Sequence, residues 1–259
     1  MSEFDQVAFY DGLAHRYDEM LTRAPIDRWT RRAFQTLVAE TIPVGRLLLD
    51  FGCGTGLDAL WYAQRGYRVV AYDVSSRMLD QRRRRCAPEI AKGQIIPVGV
   101  PFAEFPAAIG RGQSPEAVVS NYGVLNALEH PRAFFDGLAP VLAPGAAVVI
   151  SALNPFFWKD MTQRWWWRDL ARSLPGTAIV TRAEGLDTYR HFIASLVAAA
   201  RPAFRLRGQA SVGALVPQRG RPLDWDAPRT LAERLEARFW KSFPLRSCGM
   251  FVFLTFRRA

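Results

Sequence analysis

Lysine is nearly absent from this chain: Lys92, Lys159 and Lys241 are the three lysines among 34 basic residues, so arginine carries most of a formal net charge of +10. Cysteine is equally sparse. Cys53, Cys86 and Cys248 are odd in number and widely spaced, which excludes a disulfide framework and gives no metal-ligand pattern; they read as reduced thiols, and no metal site is expected. Histidine is limited to His15, His130 and His191, which narrows any search for a general base. No apolar run reaches bilayer length, since A146-A-V-V-I-S-A-L153 is only strand-length. The opening M1-S-E-F-D-Q-V-A-F-Y10 is acidic and lacks a basic segment followed by an apolar stretch, so it does not read as a secretory signal, and the expected compartment is the cytoplasm.

What is present is apolar mass and arginine. With 259 residues, 49% of them hydrophobic, the chain has the material for one large domain with a well-filled core. The basic balance invites a nucleic-acid reading. The densest run, R82-R-R-R85, argues against it: successive helical positions turn by about 100°, so four arginines wrap a helix instead of lining a groove. The run reads as a solvated helix, and no nucleic-acid partner is expected.

Hydrophobic spacing divides the single domain (1–259) into four parts. Residues 1–45 carry apolar positions at helical spacing, interrupted by Pro25, and read as an amino-terminal helical cap. In residues 46–153, short apolar runs (47–50, 68–73, 94–98, 117–121, 146–152) alternate with amphipathic helices (58–64, 78–86, 132–142). That alternation predicts an α/β fold with a buried parallel sheet. Residues 154–202 break the pattern: an aromatic segment, a ribbon from 178–182 and 187–192, then a helix over 193–200. Residues 203–259 offer two late strands, 204–213 and 249–256, flanking a helix at 230–240, with a turn-rich loop at 216–228.

The chemistry is carried by D50-F-G-C-G-T-G56, at the end of the first buried strand. Gly52, Gly54 and Gly56 allow a tight turn and close approach of a ligand. The next strand ends in Asp73, an acidic side chain about twenty residues on, suited to accept both hydroxyls of a ribose. These features leave two nucleotide readings open, a dinucleotide and S-adenosylmethionine.

The stretch L47-L-L-D-F-G-C-G-T-G, continuing through V-A-Y-D-V-S-S-R-M-L79, resembles the opening of class I S-adenosylmethionine-dependent methyltransferases of the small-molecule type. The likeness extends through V118-V-S-N-Y-G-V-L-N-A-L-E-H-P-R and V141-L-A-P-G-A-A-V-V-I-S. It implies a Rossmann-like, doubly wound seven-stranded sheet with amino-terminal helices and an inserted cap after the fifth strand. It also implies S-adenosylmethionine as cofactor, with Gly52, Cys53, Gly54 and Gly56 beside its methionine part, Asp50 facing its amino group, Asp73 on the ribose and Val74 against the adenine. Tyr17 and Arg32 are candidates for the cofactor carboxylate, a core tyrosine and a surface arginine being the competing reading. Asn121 and Tyr122 would stand where donor and acceptor meet. Two departures stand out: V98-G-V-P-F-A-E104 has no acidic residue directly after the third strand, leaving adenine to backbone and apolar contacts or to Glu104, and Ala146 replaces a usual glycine.

The acceptor is expected to be a small, flat or apolar molecule, with RNA or protein methylation, or cofactor binding without catalysis, as the alternatives. The stretch N154-P-F-F-W-K-D-M-T-Q-R-W-W-W-R-D-L170 carries more aromatic surface than one helix face can bury. It is expected to form a lid, with Trp158, Trp165 and Trp166 facing substrate; pure core packing and a membrane-interface role are the competing readings. If a base is required, His191 beside Tyr189 is the candidate pair, a surface or packing histidine being the competing reading, whereas His130 is expected to cap the helix it precedes.

Overall fold

The computed structural model describes residues 3–110, 114–173, 176–183, 186–221 and 223–259. Three helices come first: α1 (Glu3–Leu13), α2 (Tyr17–Arg23) and α3 (Pro25–Thr41). Pro25 opens α3, where its missing N–H costs nothing. The apolar side of α3, with Trp29, Ala33, Phe34 and Val38, is buried against the sheet.

Five short apolar runs form parallel strands: β1 (Leu47–Phe51), β2 (Arg68–Tyr72), β3 (Ile95–Val98), β4 (Ala117–Ser120) and β5 (Ala147–Leu153). The connecting helices are α4 (Leu57–Ala63), α5 (Ser76–Arg85), α6 (Ala87–Ala91), α7 (Phe105–Gly110) and α8 (Arg132–Leu138). Beyond β5 come α9 (Arg164–Ser173), β6 (Ala178–Ala183), β7 (Leu186–His191), α10 (Ile193–Ala200), β8 (Phe204–Val212), α11 (Leu231–Phe239), α12 (Leu245–Cys248) and β9 (Phe251–Arg258).

The main sheet has seven strands in the order β3-β2-β1-β4-β5-β9-β8. β9 inserts antiparallel between β5 and β8, from Ala147 opposite Arg257 to Leu153 opposite Phe251. This is the seven-stranded α/β sheet that the alternation and the resemblance imply. Strand order reverses between β1 and β4, and in such sheets ligands bind outside the carboxyl ends at that crevice. β6 and β7 pair only with each other, as an antiparallel ribbon apart from the main sheet.

One place differs from the sequence reading. The aromatic helix begins only at Arg164, so Trp158 lies in the turn before it and shares no face with Trp165. The turn-rich loop is anchored in the core: Leu223 and Trp225 are buried, with the Trp225 ring 4.7 Å from Trp29 and 5.1 Å from Trp240. Beneath them the buried Glu236 accepts from Trp29 Nε1 at 2.8 Å and from the Gly213 and Leu215 N–H groups at 2.7 Å each. Polar partners for a buried carboxylate fix the start of this loop, which is the loop its turn-rich composition predicts. Among the described residues, no helix is long and apolar enough to cross a membrane.

Candidate active site

The turn after β1 is held from two sides. Gly52 and Cys53 donate their N–H groups to Tyr72 O, at 2.9 and 3.0 Å, which ties the turn to the end of β2. Asp73 follows, and its carboxylate accepts from Gly54 N at 2.7 Å and Ser75 N at 2.9 Å. These bonds aim the carboxylate and leave it further acceptor capacity. Gly54 has φ +53°, and a Cβ there would meet only the Tyr17 ring edge, at 3.5 Å. A side chain at this position would occupy the space over the turn.

That space belongs to a cavity of about 390 Å³ at the crevice between β1 and β4. Asp50 is buried in its floor, with Oδ2 lacking any hydrogen-bond partner among the described residues. Burial, aided by Asp58, pushes its carboxyl well above the usual carboxylate range, and Arg82 opposes this. Burial likewise raises Asp73, against the hydrogen bonds from Ser75 and Gly54. An unpartnered carboxyl oxygen, an aimed carboxylate and an open glycine turn fit a ligand that offers a cationic amine and vicinal hydroxyls.

A polar network closes one wall. Asp58 accepts from Gln35 Nε2 at 2.9 Å, from Asn121 Nδ2 at 3.1 Å and from Arg31 Nη1 at 2.8 Å. Asn121 Oδ1 in turn accepts from Ser151 Oγ at 2.9 Å and Tyr122 N at 2.8 Å. Tyr122 has φ +57°, a left-handed conformation that costs a non-glycine residue about 1–2 kcal/mol. Its hydroxyl donates to Asp27 O at 2.5 Å, and the Arg31 guanidinium sits 4.6 Å from its ring centre. These contacts hold the strained Tyr122 in the cavity wall, at the end of β4.

Residues 17–184 match a family described as a methyltransferase domain, and they include the turn, Asp73 and this network. The chain belongs to that methyltransferase family. A demethylmenaquinone methyltransferase from Paenarthrobacter aurescens (strain TC1) is 30% identical over 200 residues, covering 74% of this chain and 72% of that protein. The fold is similar to that of a Burkholderia thailandensis 1,6-didemethyltoxoflavin-N1-methyltransferase, solved with that substrate and S-adenosylhomocysteine bound. The TM-score is 0.60 at 16% identity, covering 99% of this chain and 89% of that one. It is also similar to a magnesium protoporphyrin IX methyltransferase from Synechocystis PCC 6803 with S-adenosylhomocysteine bound, at a TM-score of 0.54 and 18% identity, covering 89% and 82%. The protein is thus a class I methyltransferase whose cofactor is S-adenosylmethionine.

Within this methyltransferase, Tyr17, Asp50, Gly52, Cys53, Gly54, Asp73, Val74, Asn121, Tyr122 and Tyr189 all line the cavity. Gly56 lies one step behind the wall, at φ +84°, where a Cβ would collide with the Arg82 side chain at 2.7 Å. Arg32 is elsewhere: it pairs with Asp226 at 2.6 Å and approaches the Trp61 ring, while its neighbour Arg31 faces the cavity. Helical spacing alone does not tell these adjacent arginines apart; the apolar stripe of α3 points to Arg31 only once the site's side of that helix is known.

Among the described residues, no tryptophan lines the cavity. Trp166 is buried and donates to Pro155 O at 2.7 Å, so it anchors α9 to the domain. Trp165 lies under Arg190, 5.4 Å from ring centre to guanidinium, and Trp158 donates to Ala214 O at 2.8 Å. His191 is buried with Nε2 donating to Leu128 O at 2.8 Å, and burial lowers its pKa. His191 is not among the described residues that line the cavity. The adjacent strand residue on the same face, Tyr189, reaches the cavity, its hydroxyl 3.4 Å from Glu129 Oε2. Glu129 and His130, exposed at the cavity mouth, were not singled out as site residues in the sequence; α8 has no side-chain cap from His130.

The arginine run is only half solvated. Arg83 and Arg84 are exposed, but Arg82 is fully buried, and Arg85 pairs with Asp18 of α2 and donates to Thr55 O at 2.8 Å. Since the run wraps its helix, one member necessarily faces the domain, here directly beneath the glycine turn.

Proposed function

We propose that this methyltransferase methylates a nitrogen or oxygen of a small, flat or apolar acceptor held in the outer part of the cavity. The observation that carries the reading is the lining: Tyr10, Tyr17, Leu21, Tyr122, Leu128 and Tyr189 border the same cavity as the glycine turn. Flat rings stack on such walls, and apolar walls exclude water. The relatives named for demethylmenaquinone and didemethyltoxoflavin act on ring compounds by their names, which supports the same class here.

In this reading Asp73 accepts from the ribose hydroxyls, Asp50 faces the amino group, and Gly52, Cys53 and Gly54 run beside the methionine part. Val74 and Phe102 flank the adenine, and Glu104 is not among the described residues that line the cavity. Arg31, turned toward the cavity and braced by Asp58, takes the carboxylate role first considered for Arg32. S-adenosylmethionine, when bound, supplies a methyl group already activated by its sulfonium charge. The protein's remaining task is to hold the acceptor in line and keep water out, effects worth about 7–11 kcal/mol at good geometry. An amine acceptor needs no base. For a hydroxyl acceptor, Glu129 and His130 at the mouth are the groups able to take the proton, with Tyr189 orienting Glu129.

The test is a methyl-transfer assay with labelled donor against phenols, hydroquinones and heteroaromatic amines, with bulk RNA and a mixed protein substrate in parallel. Turnover on ring compounds supports the proposal. Turnover confined to RNA or protein overturns it, and donor binding with no transfer to any of them favours a binding protein.

A further inference from the structure

We infer that the outer face of α9 docks the enzyme on an anionic lipid surface. Arg164, Arg168 and Arg172 recur every four residues, and all are exposed. This spacing puts them along one face of the helix. Trp166 and Asp169, on the opposite side, are buried. The cationic face is edged by apolar surface: Trp167 is 57% exposed, Phe156 42% and Val180 39%. Trp167 and Phe156 both meet the ring of the buried Trp166, at 4.7 and 6.1 Å, and Val180 N is held by Ser173 Oγ at the end of α9.

Two features select a lipid surface as the occupant. The acidic groups described in this segment already face arginines, Asp160 with Arg190, Asp169 with Arg168 and Asp187 with Arg182, so Arg164 and Arg172 have no acidic partner among the described residues. Positive charge without internal compensation seeks an anionic partner. In addition, Trp167 Nε1 is satisfied by Met161 O at 2.9 Å, so the exposed ring presents carbon and not a donor. Exposed indole and phenyl rings beside arginines match a headgroup boundary, where aromatic rings settle into the interface and guanidinium groups meet phosphates. A nucleic acid would use the arginines but has no need for α9's aromatic edge without a groove to receive bases.

The placement also bears on access. α9 packs on β6, and β7 of the same ribbon brings Tyr189 to the cavity. A lipid surface under α9 therefore sits next to the unit that walls the acceptor space. That such docking serves an apolar acceptor dissolved in lipid rests on the proposed function; the docking itself does not.

The experiment is co-sedimentation of the full chain with phosphatidylcholine vesicles, with and without phosphatidylglycerol, alongside calorimetry with S-adenosylhomocysteine. The expected result is binding to the anionic vesicles alone, weakened by salt. Arg164→Gln and Arg172→Gln should each weaken it by about fivefold, the usual contribution of one basic residue near such a surface. Trp167→Ala should weaken it as well, and all three variants should bind S-adenosylhomocysteine as the parent does. No sedimentation with anionic vesicles overturns the inference. So does sedimentation that the variants leave unchanged, or stronger salt-sensitive binding to RNA through the same arginines. Loss of homocysteine-product binding in the parent chain would instead indict the cofactor-site assignment, separately from the docking.

Discussion

Arg82 Nη1 lies 2.8 Å from Cys53 Sγ and also donates to Ala71 O, so an arginine from a seemingly solvated run supports the glycine turn from below. Its Nε and Nη2 have no hydrogen-bond partner among the described residues, and its charge opposes the raised pKa of Asp50. Arg82→Met should therefore destabilise the fold by about 1–3 kcal/mol, the cost of leaving the buried Ala71 carbonyl without this donor. Arg83→Gln and Arg84→Gln, on the exposed side, should stay within about 0.5 kcal/mol. Thermal melts of the three variants check this, and equal melting temperatures would return the whole run to solvent.

Adjacent arginines of α3 should separate in the same way. Arg31→Met removes a cation that faces the cavity and braces Asp58, and should weaken S-adenosylmethionine binding about tenfold to a hundredfold, the range for one charged hydrogen bond. Arg32→Met removes an ion pair with Asp226 that is largely exposed, worth about 0–1 kcal/mol, and should leave cofactor affinity unchanged. Calorimetric titration distinguishes the two.

The tryptophans divide by burial. Trp166→Ala, which opens a hole beneath α9, should cost about 3–5 kcal/mol. Trp167→Ala should alter stability little, because its ring is mainly in solvent. Neither lines the cavity, so turnover per folded molecule on a soluble acceptor should be unchanged in both. A specific loss of kcat with normal folding in either variant would restore the lid role.

His191 sets an acid limit on stability. Burial lowers its folded pKa below the ordinary value of about 6.5, so the unfolded chain takes up its proton first as pH falls. Its contribution is present above that value and is lost as pH falls through the depressed folded pKa. Unfolding free energy should decline below about pH 6.5, and His191→Gln should show a shallower decline, whatever its absolute stability. An identical slope in both proteins would show that His191 is not buried as a neutral ring.

The parts of the site that a sequence displays well are those made by the backbone. A turn with Gly52, Gly54 and Gly56 between a buried strand and a helix, followed by Asp73 at the next strand end, has few other uses, and all but Gly56 border the cavity. Side-chain direction on irregular or amphipathic segments was not legible. The choice between Arg31 and Arg32 depends on which face of α3 the tertiary packing turns inward, and that between Tyr189 and His191, which share a face of β7, on which end of the strand reaches the cavity. The left-handed Tyr122 carried a faint signal in the glycine that follows it, but φ +57° on a tyrosine is set by its bonds to Asn121 and Asp27. The buried Arg82 was obscured by its own neighbours, since a run of like charges says nothing about which member faces inward.

The central claim is that the cavity between the glycine turn and Asp73 is where S-adenosylmethionine binds. It is tested most directly by titrating the cofactor into the parent chain and Asp73→Ala, each confirmed folded by circular dichroism. Asp73 is aimed by Gly54 N and Ser75 N and should accept from two hydroxyls, so binding should be one-to-one in the parent and weaker by about tenfold or more in the variant. Equal affinity in a folded Asp73→Ala protein would contradict the account.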